Sequence, residues 1–241
     1  MRIPRIYYAG DLKSGETILL DRNASQHVCR VLRLEAGAQL VLFNGKGTSA
    51  EARLTSNSPK AASILVLNKS YENTESKLNI HLGLGISKGD RMDYAIQKAV
   101  ELGVNEITPV ITERTIVRLD EKRQSKKLEH WQGIIISACE QCGRSVLPVL
   151  NPVSRIDTWL QHSSACKLIF DPFSSQSLSG LEQQTHASIL IGPEGGLSEE
   201  ELTKSIAQDF TPVRLGPRVL RTETAVVAAC SALQILWGDL G

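Results

Sequence analysis

Several things are missing from this 241-residue sequence. No apolar run is long enough to span a bilayer, which takes about 20 consecutive apolar residues. The first ten residues carry Arg2 and Arg5 and no apolar core, so secretion is not expected and the cytoplasm is the expected compartment. Cysteine is sparse. Cys29, Cys139, Cys142, Cys166 and Cys230 are odd in number and spread thinly, which suits reduced thiols better than a disulfide framework. No HExxH occurs, no second CxxC accompanies Cys139-Glu140-Gln141-Cys142, and His27, His81, His130, His162 and His186 lack ligand spacing. A metal is therefore not expected. The absence of a GxSxG elbow removes support for a serine hydrolase. The absence of GxGxxG after the first strand and of GxxxxGK[ST] argues against a dinucleotide or a nucleoside triphosphate.

What is present is the composition of a soluble globular chain, 41% hydrophobic and 22% charged. Net charge is only +1, but its distribution is uneven. Residues 1–72 hold 10 Lys and Arg against 6 Asp and Glu, and residues 73–241 hold 17 against 20. A basic front half is weak support for a polyanion grip there.

Two grammars follow one another. Arg5–Tyr8, Thr17–Leu20, Gln39–Phe43, Ser49–Thr55 and Ser63–Leu67 are short and rich in β-formers, separated by turns such as Asn44-Gly45-Lys46-Gly47. Ser25–Leu34 is expected to be helical, with Val28, Val31 and Leu32 on one face. Closely spaced strands suggest a small barrel over residues 1–72. The polar stretch Tyr71–Lys77 reads as the linker. Residues 73–241 then alternate. Strands are expected at Leu78–Gly85, Glu106–Ile111, Lys167–Phe170, Ser188–Ile191 and Thr211–Leu215. Helices are expected at Asp90–Leu102, Ser125–Cys139, Ser198–Ala207 (opened by the capping box Ser198 and Glu201) and Thr222–Trp237. This alternation indicates an α/β domain with a mainly parallel sheet.

Ligands of open α/β sheets sit beyond the carboxyl ends of the strands. Two exits are unusual there. Ile189-Leu190-Ile191 runs into Gly192-Pro193-Glu194-Gly195-Gly196, a loop of bare backbone. Val213-Arg214-Leu215 runs into Gly216-Pro217-Arg218-Val219-Leu220-Arg221-Thr222-Glu223-Thr224-Ala225, a second glycine–proline turn with two arginines and a helix start. On adjacent strands, two such loops can hold the edges of an adenine and its ribose by main-chain hydrogen bonds. Taken singly, each also reads as a mere tight turn. The CxxC ends a long apolar helix and reads as structural thiols. Arg144, after the Gly143 stop, either favours the helix dipole or reaches a base or phosphate.

At these residues the sequence resembles the ribosomal RNA small subunit methyltransferase E family, of the SPOUT class. The resemblance covers nearly the whole chain. It is carried by the two glycine–proline loops and by Lys88-Gly89-Asp90-Arg91 through Gln97-Lys98-Ala99-Val100-Glu101-Leu102-Gly103-Val104. Thr112-Glu113-Arg114-Thr115 and Glu140-Gln141-Cys142-Gly143-Arg144 follow in order, and His27 with Val31-Leu32-Arg33 and Phe43-Asn44-Gly45-Lys46-Gly47 lie in front. Asn44 stands where the family usually carries an acid.

The resemblance implies a PUA-like RNA-binding β-barrel before a SPOUT-type trefoil-knotted α/β domain, in a homodimer. It implies S-adenosylmethionine as cofactor, held by Ile191, Gly192, Pro193, Glu194, Gly196, Leu215, Gly216, Leu220, Arg221, Thr222 and Ala225. The implied reaction is methylation of uridine N3 in 16S rRNA of the small ribosomal subunit. Arg144 and Arg221 are the candidates for holding the uracil anion, and Glu223 for orienting an arginine or, less favoured, acting as base. His27, Arg30 and Arg33 would contact RNA. A non-catalytic RNA-binding assembly factor and a thiol-redox protein using Cys139 and Cys142 are the alternatives from other classes.

Overall fold

A computed structural model describes residues 3–71, 73–116, 120–161 and 166–241; His162 lies outside the described residues. The chain forms two compact units, Met1–Glu75 with Cys139–Leu147, and Ser76–Ala138 with Pro148–Gly241. The boundary expected between residues 72 and 73 falls three residues later, between Glu75 and Ser76, in the same polar segment. The segment Cys139–Leu147, expected in the second domain, instead joins the first unit. Its bonds say why. Arg5 Nη2 donates to Ser145 Oγ at 2.8 Å, Tyr7 N–H to Glu140 Oε1 at 3.0 Å, and Leu147 N–H to Gly45 O at 3.0 Å.

In the front unit, strands β1 (Arg5–Tyr7), β2 (Thr17–Leu19), β3 (Gln39–Phe43), β4 (Ser49–Ser56) and β5 (Ser63–Ser70) form one sheet in the order β1-β3-β4-β5-β2. β1 and β3 run parallel and the rest antiparallel, and the sheet curls into a half-barrel. Period-two patterning explains the curl's inner face. Ala50, Ala52 and Leu54 are buried while Glu51, Arg53 and Thr55 are exposed. They join Ile6, Leu40, Leu42, Ile64 and Val66 in one core.

The helix expected over Ser25–Leu34 begins and ends earlier. Helix α1 spans Arg22–Gln26, started by the Asp21 carboxylate accepting the Ala24 N–H at 2.8 Å. A π turn, His27–Val31, follows. The Leu32 N–H reaches His27 O at 2.9 Å and the Leu34 N–H reaches Val28 O at 3.0 Å. These bonds are wider than the α-helical i→i−4 pattern. Arg33 ends the turn with φ 52°. In the next hairpin the Asn44 amide oxygen accepts the N–H groups of Lys46 at 2.9 Å and Thr48 at 3.2 Å, so an amide does the turn-closing work of an acid.

The second unit alternates as expected. Its elements are β6 (Asn79–Gly85), α2 (Asp90–Glu101), β7 (Glu106–Ile111), α3 (Glu121–Cys142), β8 (Val149–Leu150), β9 (Ser154–Arg155), α4 (Ile156–Trp159), β10 (Lys167–Phe170), β11 (His186–Ile191), α5 (Glu199–Ala207), β12 (Thr211–Val213) and α6 (Thr222–Trp237). The last turn of α3 belongs to the front unit. The sheet order is β12-β10-β11-β6-β7-β8, with β9 also on β7. Every pairing is parallel.

The central strands read as continuous apolar runs because a parallel sheet is covered on both faces. α2 buries Met92, Ala95, Ile96, Ala99 and Val100, and packs on α6. Within α6, Gln234 is fully buried yet bonded at both ends. Its Nε2 donates to Leu102 O at 2.9 Å and its Oε1 accepts from Ser76 Oγ at 2.7 Å. Such pairing is what makes a buried amide tolerable.

Candidate active site

β10, β11 and β12 end side by side, and their exits enclose a cavity of about 590 Å³. That size suits a cofactor or drug-sized ligand, whose pockets run roughly 300–1,000 Å³. The two glycine–proline loops do not leave adjacent strands, as expected from sequence. β10 lies between them, and its exit, Asp171-Pro172-Phe173, forms a third wall.

The loop after β11 contributes Gly192, Pro193, Glu194 and Gly196, following Ile191. Its Gly196 has φ 68°, and the Gly196 N–H donates to Pro193 O at 2.8 Å, so the loop is a tight backbone turn. The loop after β12 contributes Leu215, Leu220, Arg221, Thr222 and Ala225. One bond joins the two loops: the Thr222 hydroxyl donates to Gly192 O at 3.2 Å. Of the residues proposed from sequence to hold the cofactor, only Gly216 is off the wall. It turns with φ 84° in open space.

Glu194 is spoken for by the start of α2. Its Oε1 accepts the Lys88 N–H at 3.0 Å and Arg91 Nη1 at 3.2 Å. Burial pushes its carboxyl upward, but these donors, its own N–H and the Ser87 hydroxyl outweigh burial and hold it below the ordinary glutamate value. Four arginines line the cavity, Arg91, Arg114, Arg218 and Arg221, against the acids Asp171, Glu194 and Glu199. Arg91, Arg114 and Asp171 were not anticipated as wall residues: Arg91 and Arg114 stand in motifs that carry the resemblance but were given no role at the site, and the three arrive from separate strand exits.

The remaining candidates lie elsewhere. Glu223, in the first turn of α6, is not on the wall, and its Oε2 is buried with no partner among the described residues. Arg144 belongs to the front unit, where it is 4% exposed and paired with Glu75. His27 is half-buried, its Nε2 3.9 Å from Glu140 Oε2, while Arg30 and Arg33 are exposed beside Val31. The buried thiol of the CxxC, Cys139, is not poised for redox chemistry. A hydrogen bond with Cys142, then burial, pushes the Cys139 thiol far up, and thiolates are the reactive form. Among the described residues no three of His, Cys, Asp and Glu gather to hold a metal ion, and no helix is long and apolar enough to cross a membrane.

A parallel sheet whose bare strand exits enclose a ligand-sized cavity, in a chain that also carries a curled β unit, belongs with the RNA methyltransferases. A family model described as an RNA methyltransferase domain matches residues 74–234, and one described as an RNA methyltransferase PUA domain matches residues 20–67. The ribosomal RNA small subunit methyltransferase E of Buchnera aphidicola (Schizaphis graminum) is 39% identical over 99% of this chain and 98% of its own. A methyltransferase from Legionella pneumophila, solved with S-adenosylmethionine bound, is 42% identical, covers 100% of both chains and superposes with a TM-score of 0.97. The ribosomal RNA small subunit methyltransferase E of Neisseria gonorrhoeae, also solved with S-adenosylmethionine, is 40% identical over 100% of both chains, with a TM-score of 0.92. The chain belongs to the ribosomal RNA small subunit methyltransferase E family.

Proposed function

We propose that this protein transfers a methyl group from S-adenosylmethionine to N3 of a uridine in 16S rRNA, working in the cytoplasm as a homodimer on rRNA or the small ribosomal subunit. The observation that carries the reading is the cavity walled by two bare-backbone loops, in a fold whose relatives from Legionella and Neisseria bind that cofactor. The residues fit such a ligand. A side chain on Gly192 would press within 3.2 Å of Gly196 C and Leu197 Cγ, so the loop is packed too closely there for any residue but glycine. Main-chain N–H and C=O groups of these loops suit the edges of an adenine and a ribose.

Bound S-adenosylmethionine supplies an electrophilic sulfonium methyl, so no metal is needed. The protein's work is alignment and charge stabilisation. Ile191, Gly192, Pro193, Glu194, Gly196, Leu215, Leu220, Thr222 and Ala225 hold the cofactor. Uracil N3 becomes a good nucleophile only on losing its proton, which passes to water. Arg221 stabilises the charge that develops on O2 and O4, a role supported by its position on the cavity wall. Arg144 is the second candidate for the uracil, and Glu223 orients an arginine rather than acting as base. The N3 edge is paired in a duplex, so the target base is unpaired or extruded.

His27, Arg30 and Arg33 grip the RNA backbone from the PUA-like front unit. The return of α6 onto α2, after the chain has crossed to edge strand β12, supports the trefoil knot. Exposed Ile235, Leu236 and Leu240 at the end of the chain support a dimer face. Nucleoside mass spectrometry of 16S rRNA from a strain lacking the protein tests the proposal. Loss of N3-methyluridine is expected, and an unchanged level with another methylated nucleoside missing would refute it.

A further inference from the structure

We infer that Glu201 and Arg114 are positioning residues that clasp the Gly192–Gly196 loop into its cofactor-binding shape; the inference rests on reading the cavity as the S-adenosylmethionine site. Glu201 is 5% exposed, in the first turn of α5. Its Oε2 accepts the Ser198 N–H at 2.9 Å, while Ser198 Oγ accepts the Glu201 N–H at 3.2 Å. This is a capping box, and for capping alone one carboxylate oxygen is enough. The other oxygen is used differently. Oε1 accepts the Glu113 N–H at 2.7 Å, reaching 88 residues back along the chain to the exit of β7.

That exit is a closed turn. The Thr115 N–H donates to Thr112 O at 3.1 Å, the Thr112 N–H to Thr115 Oγ1 at 2.9 Å, and the two hydroxyls lie 3.0 Å apart. The next residue after the anchored Glu113 is therefore aimed. It is Arg114, whose Nη1 donates to Gly195 O at 2.9 Å. A Cβ on Gly195 would lie 3.1 Å from Arg114 Cβ, so the arginine stem lies against the loop backbone. One buried carboxylate thus fixes both the helix start that leaves the loop and the turn that grips its middle.

The physical need is clear. A loop with three glycines in five residues has many conformations to lose when a ligand arrives. Fixing it beforehand moves that entropy cost from binding to folding. Neither Glu201 nor Ser198 need touch the ligand for this to work. Sequence alone shows only the capping box.

The test uses the full-length protein. Hydrogen–deuterium exchange of the 192–198 amides, without ligand, reads the clasp directly. Calorimetry with S-adenosylmethionine reads its consequence, and RNA affinity serves as the control. Glu201→Gln keeps an acceptor for only one of the two N–H groups. Faster exchange in the loop is expected, with Kd for S-adenosylmethionine raised about tenfold, as for loss of a hydrogen bond to a charged group, and RNA affinity unchanged. Arg114 is exposed, so its variants leave the core intact. Arg114→Ala should reproduce both effects, and Arg114→Lys, which retains a donor, should recover part of each. Unchanged exchange, or faster exchange with unchanged Kd, would overturn the inference. A parent protein that bound no S-adenosylmethionine would instead sink the cofactor reading, while the exchange data would still judge the clasp.

Discussion

Arg144 and Glu75 lock together through two parallel hydrogen bonds, Nε to Oε1 at 3.0 Å and Nη2 to Oε2 at 2.5 Å. Both residues lie in the front unit, and the arginine is almost wholly buried. A planar guanidinium matches a carboxylate in this way and an ammonium does not. Removing one partner takes a bidentate counter-charge from a buried group, at a cost of about 3 kcal/mol. Glu75→Gln and Arg144→Gln should each lower stability to urea by about that amount, and the double variant by little more than either. Additive losses in this double-mutant cycle would show that the pair is not the unit of stability. If Arg144 also holds the uracil, Arg144→Gln lowers kcat more than Glu75→Gln does.

Gly85 ends β6 directly beneath the 192–196 loop. A methyl group there would lie 2.4 Å from Pro193 N, 2.5 Å from Pro193 Cδ and 2.7 Å from Gly192 C. All three atoms belong to backbone or a rigid ring, so the loop itself must move. Gly85→Ala should weaken S-adenosylmethionine binding by at least about tenfold, because misplacing a binding loop by an ångström is that costly. Gly133 meets nothing within 4 Å, so Gly133→Ala is the control and should leave binding intact. Titration calorimetry on both variants checks the pair. Equal affinities would mean that the loop tolerates displacement.

Legibility followed the physics of burial. Gln39–Phe43, Glu106–Ile111, Lys167–Phe170 and Thr222–Trp237 begin and end where the sequence places them, because each has a clear apolar pattern bounded by turn residues. β8 and β9 have two residues each and no period to read. α3 starts at Glu121 rather than Ser125, since its first turn is polar and shows no face. The π turn after α1 is invisible to a search for a 3.6-residue repeat. The two loops of the site were marked by their own glycines and prolines. Gly85, Arg114 and the second duty of Glu201 were not, because each acts on residues about 80–110 positions away, and only the fold brings them together.

Glu140 gives the front unit a pH dependence. Burial raises its carboxyl above the ordinary value of 4.5, outweighing the Tyr7 N–H and His27, which both favour the charged form. A raised folded-state pKa means that the folded protein holds the proton more tightly than the unfolded chain. The associated stability is fully present below the unfolded value and is lost as pH rises through the folded one. Glu140→Gln keeps an acceptor for the Tyr7 N–H without burying a charge. Thermal unfolding across this range should show the variant more stable than the parent above the Glu140 transition, with the advantage shrinking as pH falls through the raised folded-state value and gone below about 4.5. A variant less stable than its parent near neutrality would show that attraction to His27, 3.9 Å away, outweighs burial.

Arg33 sits at φ 52°, in the left-handed region that side chains other than glycine, asparagine and aspartate seldom enter. Holding an arginine there costs about 1 kcal/mol, and glycine avoids the penalty. Arg33→Gly should therefore hold or raise Tm while removing one positive charge from the exposed end of the π turn. If that charge meets a phosphate, the variant binds rRNA more weakly across sequences, and the slope of log affinity against log salt falls by about 1. Arg30→Ala, on the same turn but without unusual backbone, should show the same loss of slope with no gain in Tm. Filter binding at several salt concentrations, read beside thermal unfolding, separates the two effects. An unchanged slope in both variants would remove these arginines from the RNA interface and leave Arg33's backbone strain without a functional counterpart.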